Sequence, residues 1–212
     1  MIPASISCCC RQGTCGNCAR SATQAVEIAK RIGFPVVAKG VSAALPHKSD
    51  AGVVKLGLDS AKAVRAAYDE IADALARRGD GRGQVLVAEQ VTDGVELVLG
   101  ANRDPEVGPV ILFGTGGIAL ELYRDVALAP PPLDEARALA LIEATRAGQI
   151  VRGYRGRPAL DVKAAVAALI GLSRLMLDAA GRIQSIDINP FLLRRRGGVA
   201  LDALVVLADD GA

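Results

Sequence analysis

Tryptophan is absent from this chain, and aromatic residues make up only 3% of it. A hydrophobic core must therefore be assembled from Ala, Val, Leu and Ile, which a hydrophobic content of 51% supplies in quantity. Cores of small aliphatic residues suit layers of helix on sheet, where short side chains let the elements approach closely. With 212 residues the chain suffices for one large domain or two small ones sharing a substrate cleft.

Other scarcities narrow the function. No apolar run reaches the roughly 18 residues that a membrane span needs, and the first residues lack the charged-then-apolar layout of a signal peptide. The expectation is a cytoplasmic protein with no membrane partner. Net charge is only +2, from 25 basic and 23 acidic residues. The one dense basic run, Arg194-Arg195-Arg196, has no interleaved aromatics, so nucleic acid is not an expected partner.

Beyond residue 18 there is no cysteine at all; Cys8, Cys9, Cys10, Cys15 and Cys18 all lie in the N-terminal stretch. A disulfide framework would spread cysteines through the fold. Cys15-Gly-Asn-Cys18 has the spacing of a metal or redox pair, but no second pair follows, and adjacent cysteines chelate poorly. Residues 1–20 are thus read as an unstructured Cys-rich leader, with metal binding or redox chemistry as the alternative.

What is present reads as a mixed α/β (α+β) chain. Ser21 and Gln24 have capping-box spacing, and Ala25, Ile28, Ala29 and Ile32 share a face before Gly33. Residues 35–39 predict a buried strand. Residues 54–58 predict a strand with Val54, Leu56 and Leu58 on its dry face. Asp59 or Ser60 caps a helix with the stripe Val64, Tyr68, Ile71 and Leu75. Strands at 84–89 and 95–100 flank Thr92-Asp93-Gly94, where Asp-Gly favours a tight hairpin turn. Strands at 109–113 and 118–122, helices at 134–147 and 161–178, and strands at 183–188 and 199–205 complete the pattern. A leader over 1–20 and two subdomains over 21–100 and 101–212 follow from this order.

Several residues carry possible chemistry. Asp187 and Asn189 are two apart on a strand and so point to one face. If the closing turn is centred between Arg195 and Arg196, Asn189 lies opposite Asp202; a turn one residue longer leaves them diagonal neighbours. Three oxygen-bearing side chains would then suit Mg²⁺, which takes one or two carboxylates plus nucleotide phosphates; a solvated strand face is the alternative. Lys39 ends an apolar strand, where it either snorkels or meets an anion. Glu89 and Glu96 flank a turn after a buried strand, as ribose ligands or as surface acids. Gly114 to Gly117 has the glycine content of an anion cradle but not a P-loop ending, so a tight turn explains it equally. His47, the only histidine, sits in a polar loop where it could act as nucleophile toward a phosphoryl group, with Lys48 or Arg124 stabilising the transferred charge.

Taken in order, GFPVVAKG (33–40), HKSDAG (47–52), EQVTDGVELVLG (89–100), RDPEVGPVILFGTGGIALELYRDVA (103–127), GYRGRP (153–158), DINP (187–190) and ALDA (200–203) resemble the ATP-grasp subunit or domain of NDP-forming acyl-CoA synthetases. The nearest type is acetate–CoA ligase (ADP-forming), with succinyl-CoA synthetase β subunits more distant. The resemblance runs from about Ser21 to Leu207 and implies an ATP-grasp fold, two α+β subdomains clasping a nucleotide. It implies that Lys39 and Lys48 meet nucleotide phosphates, that Glu89 and Glu96 lie beside adenine and ribose, and that Gln90 and Val91 form the adenine hinge. Asn189 and Asp202, with Asp187, match the Mg²⁺ ligands. His47 matches a transient phosphohistidine, with Gly116, Gly117 and Glu121 in a loop near it.

The implied reaction is reversible phosphoryl transfer between ADP/ATP and an acyl phosphate, interconverting acyl-CoA, ADP and phosphate with carboxylate, CoA and ATP. A CoA-binding alpha-type subunit or domain is the implied partner. A non-catalytic nucleotide-sensing module beside an acetyltransferase is the alternative. Two departures from the family pattern stand out. The Cys-rich leader replaces a helix and strand, and Gly52 is followed by Val53 instead of a second glycine, which would tighten the phosphate loop.

Overall fold

The computed structural model describes residues 5–7, 17–41, 52–77, 84–117, 125–156 and 158–208. Two compact units emerge, one from residues 12–92 and one from residues 93–212 together with Ser5–Ser7. The division falls at Thr92/Asp93, ahead of the expected boundary at residue 100. The reason lies in the strands on either side. β5 (Gln84–Glu89) belongs to a four-stranded sheet and β6 (Val95–Asp104) to a seven-stranded one, so the two do not form the hairpin that Asp93-Gly94 suggested.

The smaller unit contains β2 (Cys18–Ala19), α1 (Ala22–Ile32), β3 (Val36–Val41), β4 (Val54–Leu58), α2 (Ala61–Ala76) and β5. Its antiparallel sheet has the order β2-β5-β3-β4. Ser21 Oγ accepts from the Gln24 N–H at 3.2 Å, and Gln24 Oε1 accepts from the Arg20 N–H at 2.9 Å, so the capping box closes one residue early. Gly33, at φ +94°, releases the chain from the helix. Ser60 caps α2. Ala25, Ile28, Ala29, Val64, Ile71 and Leu75 from the helices bury against Val36, Ala38, Val85 and Val87 of the sheet.

Three sequence expectations change here. The leader is not wholly a tail: β1 (Ser5–Ser7) pairs with β11 (Leu204–Leu207), and β2 pairs with β5. The alternation expected in β4 breaks, because Gly57 adopts φ +68° and the β3–β4 register shifts between Val36 and Ala38. A one-residue shift turns side chains to the other face, so Leu56 is 66% exposed while Leu58 is buried. Val53 is fully buried, and its bulk is absorbed by Gly40, where a Cβ would stand 2.9 Å from the Val53 Cβ. It therefore serves the core.

The larger unit adds β7 (Gly108–Thr115), β8 (Val126–Ala129), α3 (Glu135–Glu143), α4 (Arg146–Val151), α5 (Val162–Asp178), β9 (Ile183–Leu193) and β10 (Gly198–Ala200). Its antiparallel sheet runs β1-β11-β9-β6-β7-β8, with β10 also on β9. Leu97, Leu99, Ile111 and Phe113 bury against Ile142, Leu169 and Met176. The single helix expected at 134–147 is two helices. Thr145 Oγ1 donates to the Ile142 carbonyl and accepts from the Gly148 N–H, starting a second helix. A Cβ on Gly148 would stand 2.1 Å from the Ile142 oxygen, so the corner depends on glycine.

Asp125 is the polar pin of this unit. Its carbonyl accepts from the Thr115 N–H, and its carboxylate accepts from the Thr115 hydroxyl at 2.9 Å and from the Arg146 and Ala147 N–H groups at 3.0 and 2.9 Å. Burial pushes its carboxyl upward, but these N–H and O–H donors outweigh burial and hold it below the usual carboxylate range. A depressed folded value stabilises above the unfolded value and loses that contribution as pH falls through the folded one. Asp125→Ala should therefore cost about 2–3 kcal/mol near neutrality, and urea unfolding of both proteins should show that gap closing below about pH 4. In the same assay Leu56→Ser should change stability by less than about 0.5 kcal/mol, whereas Leu58→Ala should cost about 2–3 kcal/mol.

Candidate nucleotide and metal site

In the smaller unit, Lys39 is partly buried on β3 and pairs with Val54 of β4 and Leu86 of β5. Strand alternation puts it on the face of Val37 and away from the helices, because Val36 and Ala38 take the helix-facing side. Glu89 ends β5, is exposed, and pairs with Val36, so it starts from the opposite strand face to Lys39. Gln90 is held from both ends. Its N–H donates to the Pro35 carbonyl, and its side-chain Oε1 accepts from the Gly57 N–H at 2.6 Å. The glycine that breaks β4 thus fixes the segment leaving β5. Val91 follows, partly buried, with no hydrogen bond among the described residues.

The larger unit brings together residues far apart in sequence. Glu96 lies exposed on β6. Its carbonyl accepts from the Gly116 N–H at 3.0 Å. The next glycine, Gly117, has φ +62°, and a Cβ there would sit 2.3 Å from Glu96 Oε2. The Gly117 N–H donates to Asn189 Oδ1 at 3.2 Å. At Gly116 a Cβ would meet the Leu97 backbone at 2.5 Å. Both glycines are therefore required by close approach, the first to a strand backbone and the second to a carboxylate.

From Gly198 to Val206 the closing hairpin keeps one register. Gly198, Val199 and Ala200 pair with Leu193, Leu192 and Phe191, and Leu204 pairs with Asp187. Between these, the Leu201 N–H donates to the Pro190 carbonyl at 2.9 Å. Asn189 therefore lies opposite Asp202. Against β6, β9 shifts register between Leu97 and Leu99, the position facing Asn189 and Pro190. A bulge of this kind re-aims side chains. Asp187, two residues before Asn189, is exposed and pairs with Gly100. Asp202 is partly buried, with its Oδ1 accepting from the Ala203 N–H.

As donors, Asn189, Asp202 and Asp187 offer only oxygen, the chemistry a hard divalent cation accepts. Among the described residues no group of three or more His, Cys, Asp and Glu gathers as a metal cluster. His47, Lys48 and Glu121, and the strand expected at 118–122, lie outside the described residues. Asp125, which braces the end of β7 just ahead of Gly116 and Gly117 through Thr115, was not singled out from the sequence. Its local signal was an Asp immediately before a short apolar strand, which is common on surfaces. Among the described residues no helix is long and apolar enough to cross a membrane.

Comparison with known proteins identifies the family. The ATP-grasp domain family matches residues 14–207. A trans-feruloyl-CoA synthase from an unknown prokaryotic organism is 39% identical over 200 residues, covering 89% of this chain and 27% of that protein. The ADP-forming acetate–CoA ligase II subunit beta of Pyrococcus furiosus is 35% identical over 193 residues, covering 89% of this chain and 82% of the subunit. The chain thus spans about a quarter of the long synthase and most of the separate beta subunit. Among solved structures, the Ca. Korarchaeum cryptofilum dinucleotide-forming acetyl-coenzyme A synthetase 1 with coenzyme A and Ca-AMPCP superposes with TM-score 0.83 at 36% identity, over 98% of this chain and 87% of that one. The same synthetase with coenzyme A and Mg-AMPPCP, its phosphohistidine segment pointing towards the nucleotide-binding site, gives TM-score 0.76 at 35% identity, over 98% and 86%. The chain adopts the ATP-grasp fold and belongs to the family of ATP-grasp beta subunits and domains of ADP-forming acetate–CoA ligases.

Proposed function

We propose that this chain is the nucleotide-handling half of an ADP-forming acyl-CoA synthetase. The observation that carries the reading is the junction of Glu96, Gly116, Gly117 and Asn189, with Asn189 in register with Asp202. The junction gathers the oxygen-bearing side chains of Glu96 and Asn189, with Asp202 facing Asn189, beside a close-packed glycine turn, which suits a divalent cation and the phosphates it carries. Lys39 and Lys48 are assigned to phosphate charge, Glu89 and Glu96 to the ribose and adenine end. Gln90 and Val91 form the hinge, where the clamped Gln90 leaves the Val91 N–H to reach a base edge.

Asn189 and Asp202, with Asp187 beside them, would hold Mg²⁺, which when bound neutralises charge on the phosphates. The acyl step belongs to a CoA-binding partner: the thioester bond breaks, phosphate oxygen bonds the acyl carbon, and CoA leaves. The acyl phosphate then gives its phosphoryl group to a histidine of that partner, releasing carboxylate. The His47 imidazole takes the phosphoryl group next and passes it to ADP, so a P–N bond breaks as the P–O bond of ATP forms. By the family resemblance, Gly116, Gly117 and Glu121 are assigned to the same transfer. Splitting the transfer in this way replaces one difficult step by easier ones.

Mg-ADP should raise the melting temperature of the chain, and ADP with EDTA should raise it much less. Asn189→Ala and Asp202→Ala should each weaken Mg-ADP by about tenfold or more, the loss of one charge-assisted or metal contact. A titration in which both variants bind Mg-ADP like the parent would remove the metal assignment. With the CoA-binding partner present, His47→Ala should abolish acyl-CoA-dependent ATP formation while Mg-ADP still binds. Unchanged ATP formation would sink the phosphohistidine route and leave the nucleotide site standing.

A further inference from the structure

The triple arginine at the β9–β10 turn is used by none of the chemistry above, yet the fold invests in it. The turn from Arg194 to Gly197 is fastened at three points. The Arg194 N–H donates to the Gly197 carbonyl at 3.0 Å, the Asp161 N–H donates to the Arg194 carbonyl at 2.8 Å, and the Gly197 N–H donates to Asp161 Oδ2 at 2.8 Å. Asp161 is also the N-cap of α5, accepting from the Ala164 N–H. The backbone that carries the arginines is thereby held against a long helix. The Arg194 guanidinium donates through Nε and Nη2 to Asp93 Oδ2, at 3.1 and 3.0 Å. Its charge is cancelled there.

Arg195 and Arg196 are exposed and make no hydrogen bond or ion pair among the described residues. They border a half-open cavity of about 600 Å³, within the size range of small-molecule sites. One wall is apolar, formed by Val95, Ile150, Pro158 and Leu160, and the paired Asp93 and Arg194 side chains also line the cavity. Gly94 permits this wall, because a Cβ there would stand 2.6 Å from the Leu193 carbonyl oxygen. The cavity lies wholly within the larger unit. It is about 15 Å along β9 from Asn189, at roughly 3.3 Å per residue.

Two unspent guanidinium groups beside an aliphatic wall define a ligand class. Guanidinium groups select phosphate and carboxylate by paired N–H donors. Exposed ion pairs alone bind weakly, so an inorganic ion would gain little here, and the wall adds affinity only to a ligand with an apolar body. Among the described residues no aromatic ring borders the cavity to stack a base. We propose that this cavity is a second binding site, separate from the nucleotide site, for a small organic anion whose phosphate or carboxylate head meets Arg195 and Arg196 and whose aliphatic tail lies on Val95, Ile150, Pro158 and Leu160.

Isothermal titration of the full chain, saturated with Mg-ADP, tests this with four probes: hexyl phosphate, hexanoate, inorganic phosphate and hexanol. Hexyl phosphate, hexanoate or both should bind at least about tenfold more tightly than either the ion or the alcohol, because only they satisfy head and tail together. Which of the two binds better identifies the head group. Arg195→Ala/Arg196→Ala should lose about tenfold or more of that affinity with an unchanged melting temperature, both residues being exposed. Asn189→Ala, titrated without nucleotide, should retain the hexyl phosphate or hexanoate binding. Equal binding of inorganic phosphate and hexyl phosphate, undiminished binding by the double variant, or no binding of either amphipathic anion would overturn the proposal.

Discussion

The antiparallel pairing of β6 with β9 is the constraint on which the larger unit rests. Each of these strands has neighbours on both sides, so neither can slide without breaking two ladders. The pairing carries Glu96 on one strand and Asp187 and Asn189 on the other. It also imposes the register shift beside Asn189 and Pro190. Because ladder hydrogen bonds are costly to leave unmade in a buried sheet, the position of Asn189 is set by the whole sheet. Gly116 then seats against the Leu97 backbone of the same strand, and the Gly117 N–H reaches Asn189. The cluster is thus built from main-chain geometry, and side chains contribute only its oxygen atoms.

Supporting contacts extend this logic outward. Asp125 ties the end of β7 to the start of α4, so the glycine loop is braced from the helical layer as well as from the sheet. Asp161 does the same for the far end of the closing hairpin, joining the cap of α5 to the Arg194–Gly197 turn. In both places a carboxylate is spent on backbone N–H groups. Such bonds are among the stronger ones available to a partly exposed group. The core needs only aliphatic packing, as the scarcity of aromatic residues required.

Much of the local structure was legible. Ser21 and the Asp59-Ser60 pair announced two helices because capping chemistry is a short-range property. The closing hairpin was legible too, and counting from its turn left Asn189 and Asp202 either opposite or diagonal; the register of the folded strands makes them opposite. Leu56 and Val53 were not legible. Gly57 breaks the alternation of β4 by adopting a left-handed φ, and Val53 is received by a space that only Gly40 opens. Both depend on backbone choices that composition does not reveal. The strands flanking Asp93-Gly94 failed as a hairpin for a related reason. Turn propensity is local, whereas the choice of sheet depends on which core each strand can complete.

By itself the sequence determined the inventory: a mixed α/β chain with an aliphatic core, capped helices, a glycine-rich loop, an oxygen-bearing closing hairpin and a set of ordered motifs that carry the family. Those are properties of residue type and spacing, which the chain holds before it folds. Only the tertiary structure decided that residues 96, 116, 117 and 189 form one cluster. Only it decided that Asp125 braces their loop and that two arginines are left unspent beside an aliphatic cavity. Each of these depends on contacts between segments tens of residues apart, which exist only once the sheet has chosen its partners and register.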